Sequence, residues 1–415
     1  MTKSERAYLI GIRFPDEERM EARESLNELD RLAQSAGAAV TGKNLTELKE
    51  INPATLIGKG KAESIKNDAS DMDLIVFDAD LSPVQQRNLE DIFDIKVLDR
   101  SGLILDIFAQ RARSREGKIQ VELAQLQYTQ TRLTGRGAAL SRLGGGIGTR
   151  GPGETKLEVD RRRIKQRITR LRRDLEVVRK TRKLHRRRRD WVPIPTVALV
   201  GYTNSGKSTL LNKLTDSSVK AEDKLFATLD PTTRKLQLPN GQRVLISDTV
   251  GFIRRLPHSL VEAFRATFEE AMAANLLVHV IDYSYPKFTE QAAVVDNVLK
   301  EMNAAGKPVL RVYNKVDLIP DAEIFRDVSA PNGGVYVSAL RGDGLDRLLW
   351  AIASKLKENM MRITAKIPVV EGELISAIYN RGWVIERQDE GDSVIIHANI
   401  ELPLANKLEK RGYLV

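Results

Sequence analysis

Gly201-Tyr202-Thr203-Asn204-Ser205-Gly206-Lys207-Ser208 directly follows the apolar, β-branched run Pro195-Thr196-Val197-Ala198-Leu199-Val200. A G-x-x-x-x-G-K-S pattern between a strand and a helix predicts a phosphate-binding loop. Gly201 and Gly206 let backbone N–H groups turn inward around a polyphosphate, and a helix opening near Lys207 points its positive end at the same charge. Lys207 is expected to reach the β- and γ-phosphates. The Ser208 hydroxyl is expected to ligate Mg2+, with Thr209 beside it in the first turn.

Three later segments narrow the nucleotide to a guanine one. Val244-Leu245-Ile246-Ser247 runs into Asp248-Thr249-Val250-Gly251, where the Asp248 carboxylate can hold the Mg2+ shell through a water and the Gly251 N–H can touch a γ-phosphate. Pro308 to Tyr313 leads into Asn314-Lys315-Val316-Asp317, placing a carboxylate at a strand end, where parallel-sheet ligands bind. A carboxylate there suits the N1–H and N2–H2 donors of guanine, a pair that adenine lacks. Val335-Tyr336-Val337 precedes Ser338-Ala339-Leu340, whose N–H groups can donate to the guanine O6. Each motif is short, but four in this order, each after a strand, predict a GTPase core that binds GTP and GDP.

Composition limits the alternatives. The 415 residues suggest about three domains. There is no cysteine, so disulfides, thiolate metal sites and cysteine nucleophiles are excluded. His185, His258, His279 and His397 lie far apart without metal-ligand spacing. No apolar run approaches a membrane span, and the charged start Met1-Thr2-Lys3-Ser4-Glu5-Arg6 lacks a signal-peptide core, so a cytoplasmic protein is expected.

The net charge of +10 is concentrated. Between Arg161 and Asp190 stand sixteen lysines and arginines against three acids, so the rest of the chain is slightly acidic. Such a block is a polyanion footprint, nucleic acid being the expected polyanion, and a solvated helix face is the competing reading. Leu157, Ile164, Ile168, Leu171, Leu175 and Val178 form a heptad seam in this stretch, and Ile119, Leu123, Leu126, Leu133 and Leu140 form another upstream. Together they predict an antiparallel helical hairpin, its first helix running from about Gln110 to Leu140 over roughly 45 Å.

The link between those helices, Leu143 to Thr155, is longer than chain reversal needs and nearly free of side-chain bulk. Backbone can approach RNA closely where side chains are absent, so Arg142, Gly144, Gly145, Gly146 and Arg150 are candidate RNA contacts at a hairpin tip. Arg186, Arg187, Arg188 and Arg189 are candidate phosphate contacts along its shaft. Gly146 to Gly151 also fits a dinucleotide fingerprint, but no strand precedes it.

Three stretches carry a family resemblance: Asp99 to Ala112 (DRSGLILDIFAQRA), Gly144 to Thr155 with Glu158 and Asp160-Arg161-Arg162, and Leu225-Phe226-Ala227-Thr228-Leu229-Asp230-Pro231-Thr232. From roughly Tyr8 to the end of the GTPase core the chain resembles the HflX-type GTPases of the translation-factor-related class. The resemblance implies a GTPase that binds the large ribosomal subunit and its RNA and dissociates ribosomes under stress. It implies that Phe226, Ala227, Thr228, Leu229 and Asp230 form a nucleotide-contacting switch segment, with the Thr228 hydroxyl joining Ser208 and Asp248 around Mg2+. Thr232 and Thr233 are rivals for that role on spacing alone. Lys207, Thr228 and Gly251 are then the expected catalytic residues. Phe252 stands where many GTPases carry a water-positioning glutamine, so slow intrinsic turnover is expected, with Arg254 and Arg255 as candidate charge stabilisers. Asn204 resembles the position used by cation-dependent GTPases, which adds K+ as a candidate cofactor.

The expected fold class is α/β: a P-loop GTPase domain preceded by a smaller α/β domain and an antiparallel helical hairpin, with a small C-terminal α/β domain. The expected boundaries are 1–109, 110–190, 194–358 and 364–415, in a monomer without a membrane span. A GTP-dependent ribosome assembly or RNA-remodelling factor, and a regulatory switch acting on protein partners, are the alternative functions.

Overall fold

The computed structural model describes residues 4–68, 71–133, 152–189, 194–215, 224–255, 271–302, 304, 306–320, 330–358 and 360–415. The chain divides into two compact units. Met1–Val177, Glu222–Asp230 and Ile253–Ala266 make the first, and Val178–Ala221, Pro231–Phe252 and Thr267–Val415 the second.

The first unit is built on β1 (Arg6–Arg13), α1 (Arg19–Ala36), β2 (Ala39–Glu47), α2 (Lys59–Asp68), β3 (Leu74–Phe77), α3 (Pro83–Phe93), β4 (Lys96–Asp99) and α4 (Arg100–Arg111). Its strands form a parallel sheet in the order β2-β1-β3-β4. Parallel strands covered by helices are buried on both faces, so β1 and β3 read as continuous apolar runs, with Ile10, Ile12, Ile75 and Phe77 in the core. The helix ends are specified locally. Ser82 and Gln85 form a reciprocal capping box with Pro83 in the first turn of α3, and α1 stops at Gly37 with φ +93. Asp99 caps α4 by accepting a 2.7 Å hydrogen bond from the Gly102 N–H. Strand β2 lies at the sheet edge and alternates exposed and half-buried residues with only Thr46 buried, which is why its sequence lacks an apolar signal.

The hairpin starts later than its periodicity predicts. The helix does not run on from Gln110: α4 ends at Arg111, Ala112 is extended, and α5 spans Arg115–Leu133. Ser114 makes the break a new start, its hydroxyl accepting a 2.9 Å hydrogen bond from the Gly117 N–H. Helix α6 is continuous over 38 residues, Pro152–Arg189. Ile119 and Leu123 of α5 and Ile168, Leu171 and Leu175 of α6 are buried. Arg167 grips Glu122 through two hydrogen bonds of 2.7 and 3.0 Å, and Ile119 shares a groove with Leu171, so the helices run antiparallel. Leu140, Arg142, Gly144, Gly145, Gly146 and Arg150 lie outside the described residues. So do the side chains of Leu157 and Arg186 to Arg189, although the latter belong to α6.

The second unit contains β5 (Thr196–Val200), α7 (Lys207–Thr215), β6 (Thr232–Gln237), β7 (Arg243–Asp248), β8 (Leu276–Asp282), α8 (Phe288–Glu301), β9 (Val309–Asn314), β10 (Val335–Tyr336) and α9 (Leu345–Glu358). Its sheet has the order β10-β9-β8-β5-β7-β6, parallel except for β6. Strand β5 is flanked by β7 and β8, and its C-terminal end delivers the Gly201 loop to the edge where such sheets bind ligands. The chain continues into β11 (Met360–Pro368), α10 (Gly372–Arg381), β12 (Gly382–Glu390), β13 (Ser393–Glu401) and α11 (Leu402–Lys410), an antiparallel sheet in the order β11-β13-β12. Ile363, Ile367, Ile396 and Ile400 share its core with Leu374, Ile378 and Leu408 of the helices. The expected α/β fold class is thus observed. Among the described residues no helix is long and apolar enough to cross a membrane.

Candidate guanine-nucleotide site

The Gly201–Ser208 loop is held by backbone. The Phe252 N–H donates to the Gly201 carbonyl (3.1 Å) and the Thr203 N–H donates to the Phe252 carbonyl (2.7 Å), so the Asp248–Gly251 turn and the loop are stitched together. Gly201 and Gly206 have φ of +154 and +93, and a Cβ on Gly206 would overlap the Asn314 amide. Asn204 supplies the intervening left-handed residue at φ +61, a conformation asparagine tolerates. Tyr202, Thr203, Ser205 and Lys207 are buried. The hydroxyls of Thr203 and Ser205 have no hydrogen-bond partner among the described residues. Buried donors left so are costly, and polyphosphate oxygens are the acceptors such a loop satisfies them with.

Lys207 Nζ donates to the Gly201 (3.1 Å) and Tyr202 (2.8 Å) carbonyls, folded back along its own loop. Burial pushes its ammonium down to about 8, Asp248 opposing the shift and Lys315 adding to it. The Ser208 hydroxyl donates to Asp248 at 2.6 Å, and Thr209 is half-buried in the same helical turn. One hydroxyl and one carboxylate are the oxygen set that Mg2+ takes from a protein when phosphates and waters complete its octahedron, so the residues present fit that ion. Thr249 is spent on the fold, its hydroxyl donating to the Leu199 carbonyl at 2.7 Å. Val250 is buried, and a Cβ on Gly251 would lie 2.8 Å from the Thr203 Cα and 3.0 Å from Lys207 Nζ. Thr232 and Thr233 are committed to β6, opposite Asp248 and Ser247.

On the base side, the structure assigns Asn314 a task that its motif does not reveal. Its buried amide donates to the Ser205 carbonyl (2.8 Å), and its oxygen accepts from the Ala339 N–H (2.9 Å), joining the phosphate loop to the Ser338-Ala339-Leu340 loop. Lys315 is left-handed at φ +64 and pairs with Asp282 at 2.7 Å. Val316 is buried in a 3-10 turn with Asp317, whose carboxylate accepts from the Ser338 hydroxyl at 2.6 Å. Leu340 is exposed.

Phe226, Ala227, Thr228, Leu229 and Asp230 belong to the first unit. Phe226 and Leu229 are buried there, Phe226 edge-on to Phe108 with ring centroids 4.7 Å apart, while Ala227 and Thr228 are half-buried. Arg254 and Arg255, expected as charge stabilisers, bind acids of the same unit. Arg254 pairs with Glu24 (3.2 Å), and Arg255 with Glu17 and Asp78. Beside them Arg100 is fully buried, donating to Asp78 (2.6 Å), Glu28 (2.5 Å) and the Arg254 carbonyl (3.1 Å). Burial works against its charge, but Asp78 and Glu28 outweigh it and hold its pKa above the ordinary value. Sequence reasoning missed this cluster because Arg100, Asp78 and Glu28 are far apart in the chain and look like surface residues. The Phe252 ring is fully buried in the second unit.

Comparison with known proteins agrees with this geometry. The chain matches the families described as GTP-binding GTPase N-terminal over residues 23–109, GTP-binding GTPase Middle Region over 111–189, 50S ribosome-binding GTPase over 196–315 and HflX C-terminal domain over 323–412. It is 49% identical to a GTPase HflX of Caldanaerobacter subterraneus subsp. tengcongensis over 99% of this chain and 94% of the relative. For that of Lacrimispora saccharolytica the identity is 48% over 95% and 93%, and for that of Escherichia coli 42% over 97% and 94%. A phosphate loop stitched to its Asp-x-x-Gly turn, a guanine-suited carboxylate and this end-to-end similarity lead to one conclusion: the chain belongs to the HflX family of GTPases.

Proposed function

We propose that this GTPase engages the large ribosomal subunit in its GTP state and separates ribosomal subunits, in the cytoplasm and under stress. The helical hairpin is its RNA-contacting arm, and the protein acts as a monomer. The observation that carries the reading is the concentration of sixteen cationic residues between Arg161 and Asp190, all of them on the single helix α6. A continuous cationic helix suits a phosphate-lined cleft better than an apolar protein partner.

In the proposed hydrolysis Lys207 turns from its own loop carbonyls to the β- and γ-phosphates, regaining full charge beside them. The Ser208 hydroxyl, and Asp248 through a water, would hold Mg2+, with Thr228 as a proposed further ligand beside the phosphates and waters, and the Gly251 N–H would contact the γ-phosphate. Mg2+ supplies charge neutralisation across the phosphates when bound. Phe252 offers no hydrogen bond to water, so acceleration comes from outside this set, and Asn204 is the proposed ligand of a K+ ion that shares the developing charge. Equal hydrolysis rates in potassium and sodium would remove that ion from the scheme.

The deciding experiment is sedimentation of intact ribosomes with the full chain and GTP, GDP or a non-hydrolysable analogue. Subunit separation and large-subunit binding with GTP or the analogue are expected. Binding that is insensitive to salt would favour a protein partner, because each phosphate contact contributes roughly one unit to the salt slope. Replacing Arg186 to Arg189 by Gln is expected to flatten that slope, and bulky residues at Gly144 to Gly146 to block separation while sparing GTP binding.

A further inference from the structure

The Asp230 carboxylate does not stand alone on its loop. Its Oδ2 accepts from the Arg113 N–H (2.8 Å) and the Ser114 N–H (2.7 Å), and its Oδ1 accepts from the Ser114 hydroxyl. Arg113 and Ser114 are the two residues that precede α5, so an acid from a distant segment sits on the positive end of the hairpin's first helix. Gly117, one turn into α5, makes room for it: a Cβ there would overlap the Asp230 Oδ1.

The segment around Asp230 is held under constraint. Phe226 adopts φ +55, a left-handed conformation that an aromatic residue keeps only where its surroundings impose it. Its ring is wedged against Phe108, and the Leu225 N–H donates to the Ser35 hydroxyl at 3.0 Å. The far half of α5 is equally fixed. Tyr128 donates to the buried Asp99 at 2.7 Å, Arg132 pairs with the same carboxylate at 2.5 Å, and the Arg132 guanidinium lies over the Tyr128 ring. Helix α5 is therefore a stiff strut with the 225–230 segment fastened to its start.

We propose that Asp230 is a positioning residue, through which displacement of α5 reaches the segment that presents Thr228, so that engagement of the hairpin sets the conformation of the nucleotide-contacting loop. Pulling α5 away withdraws three donors from one carboxylate at once. The strained Phe226 then has a shorter route to an ordinary backbone conformation. Coupling of this kind needs a contact with two discrete arrangements, and a helix terminus that either holds or releases a carboxylate provides one. The extension from hairpin movement to ribosome-dependent hydrolysis rests on the function proposed above.

Gly117→Ala separates positioning from folding, because alanine favours the helix while its methyl displaces the Asp230 carboxylate. The variant is expected to stay folded, with a single cooperative melting transition. Amide exchange in a peptide covering 225–230 is expected to quicken by at least about tenfold, with 118–130 unchanged. Stimulation of GTP hydrolysis by purified large ribosomal subunits is expected to fall by at least about tenfold, in kcat rather than KM. Ser114→Ala, which removes one donor to Asp230 together with the cap of α5 and adds no bulk, is expected to shift both readouts the same way by less. Unchanged exchange at 225–230 in Gly117→Ala, or parental stimulation despite faster exchange, overturns the proposal. If the parent itself is not stimulated by the subunits, the function proposed above fails instead, and the exchange measurement decides the role of Asp230.

Discussion

Replacing Asn314 by alanine is expected to weaken GTP binding by about a hundredfold, although Asn314 is read here as holding two loops together and Asp317 as reading the base. The substitution removes both ends of the bridge, leaving the Ser205 carbonyl and the Ala339 N–H without the partners now at 2.8 and 2.9 Å. Each buried group left unmet costs about 1–3 kcal/mol. Water entering the space offsets part of this, so about 3 kcal/mol is expected, or two decades in affinity at ~1.4 kcal/mol per decade. The loss arises because the nucleotide must then order the phosphate loop and the Ser338 loop itself. Fluorescent-nucleotide titration with GTP and xanthosine triphosphate is the assay, since a lost bridge weakens both nucleotides equally. GTP affinity within threefold of the parent, or a loss confined to guanine, would refute the bridging role.

Asp317→Asn is expected to do the opposite, weakening GTP by roughly a hundredfold or more while improving xanthosine triphosphate, because a site built for a donor pair rejects analogues lacking it; competition titration with the two nucleotides measures it. The pH dependence of GTP binding follows from Lys207, whose pKa burial lowers to about 8. Phosphates favour its charged form, so binding takes up a proton near that pH, and affinity falls by up to about tenfold per unit as pH rises through it. Calorimetry in two buffers of different ionisation enthalpy reads the uptake, and a flat affinity across this range would count against the assignment. Gly251→Ala pushes a methyl to 2.8 Å from the Thr203 Cα and 3.0 Å from Lys207 Nζ. GTP hydrolysis is expected to fall roughly a hundredfold with GDP affinity nearly unchanged, as measured by single-turnover kinetics and GDP titration.

The nucleotide-binding part of the molecule was legible in the chain because its signals are local. A β-branched run followed by glycines at 201 and 206 needs no tertiary context to imply a strand, a tight loop and a helix start. The hairpin was half legible. The apolar seam marked Ile119, Leu123, Ile168, Leu171 and Leu175 correctly, but periodicity could not show that Ser114 restarts the helix, since the chain from Ala109 to Lys118 carries no large apolar residue whose spacing could mark the break. Strand β2 escaped notice because an edge strand with a single buried residue is held by backbone pairing, and backbone leaves no mark on composition.

From sequence alone the chain is an α/β GTPase with a cationic helical arm, because strand and helix periods, glycine positions and charge blocks are properties of neighbouring residues. Tertiary structure alone decided how polar groups distant in the chain are spent. It gave Asn314 to a bridge between loops, Arg254 and Arg255 to Glu24, Glu17 and Asp78, and Asp230 to the start of α5. A buried charge must find a partner wherever the fold places one, and the pairings 22 and 72 residues apart that hold Arg100 are recorded nowhere in local sequence.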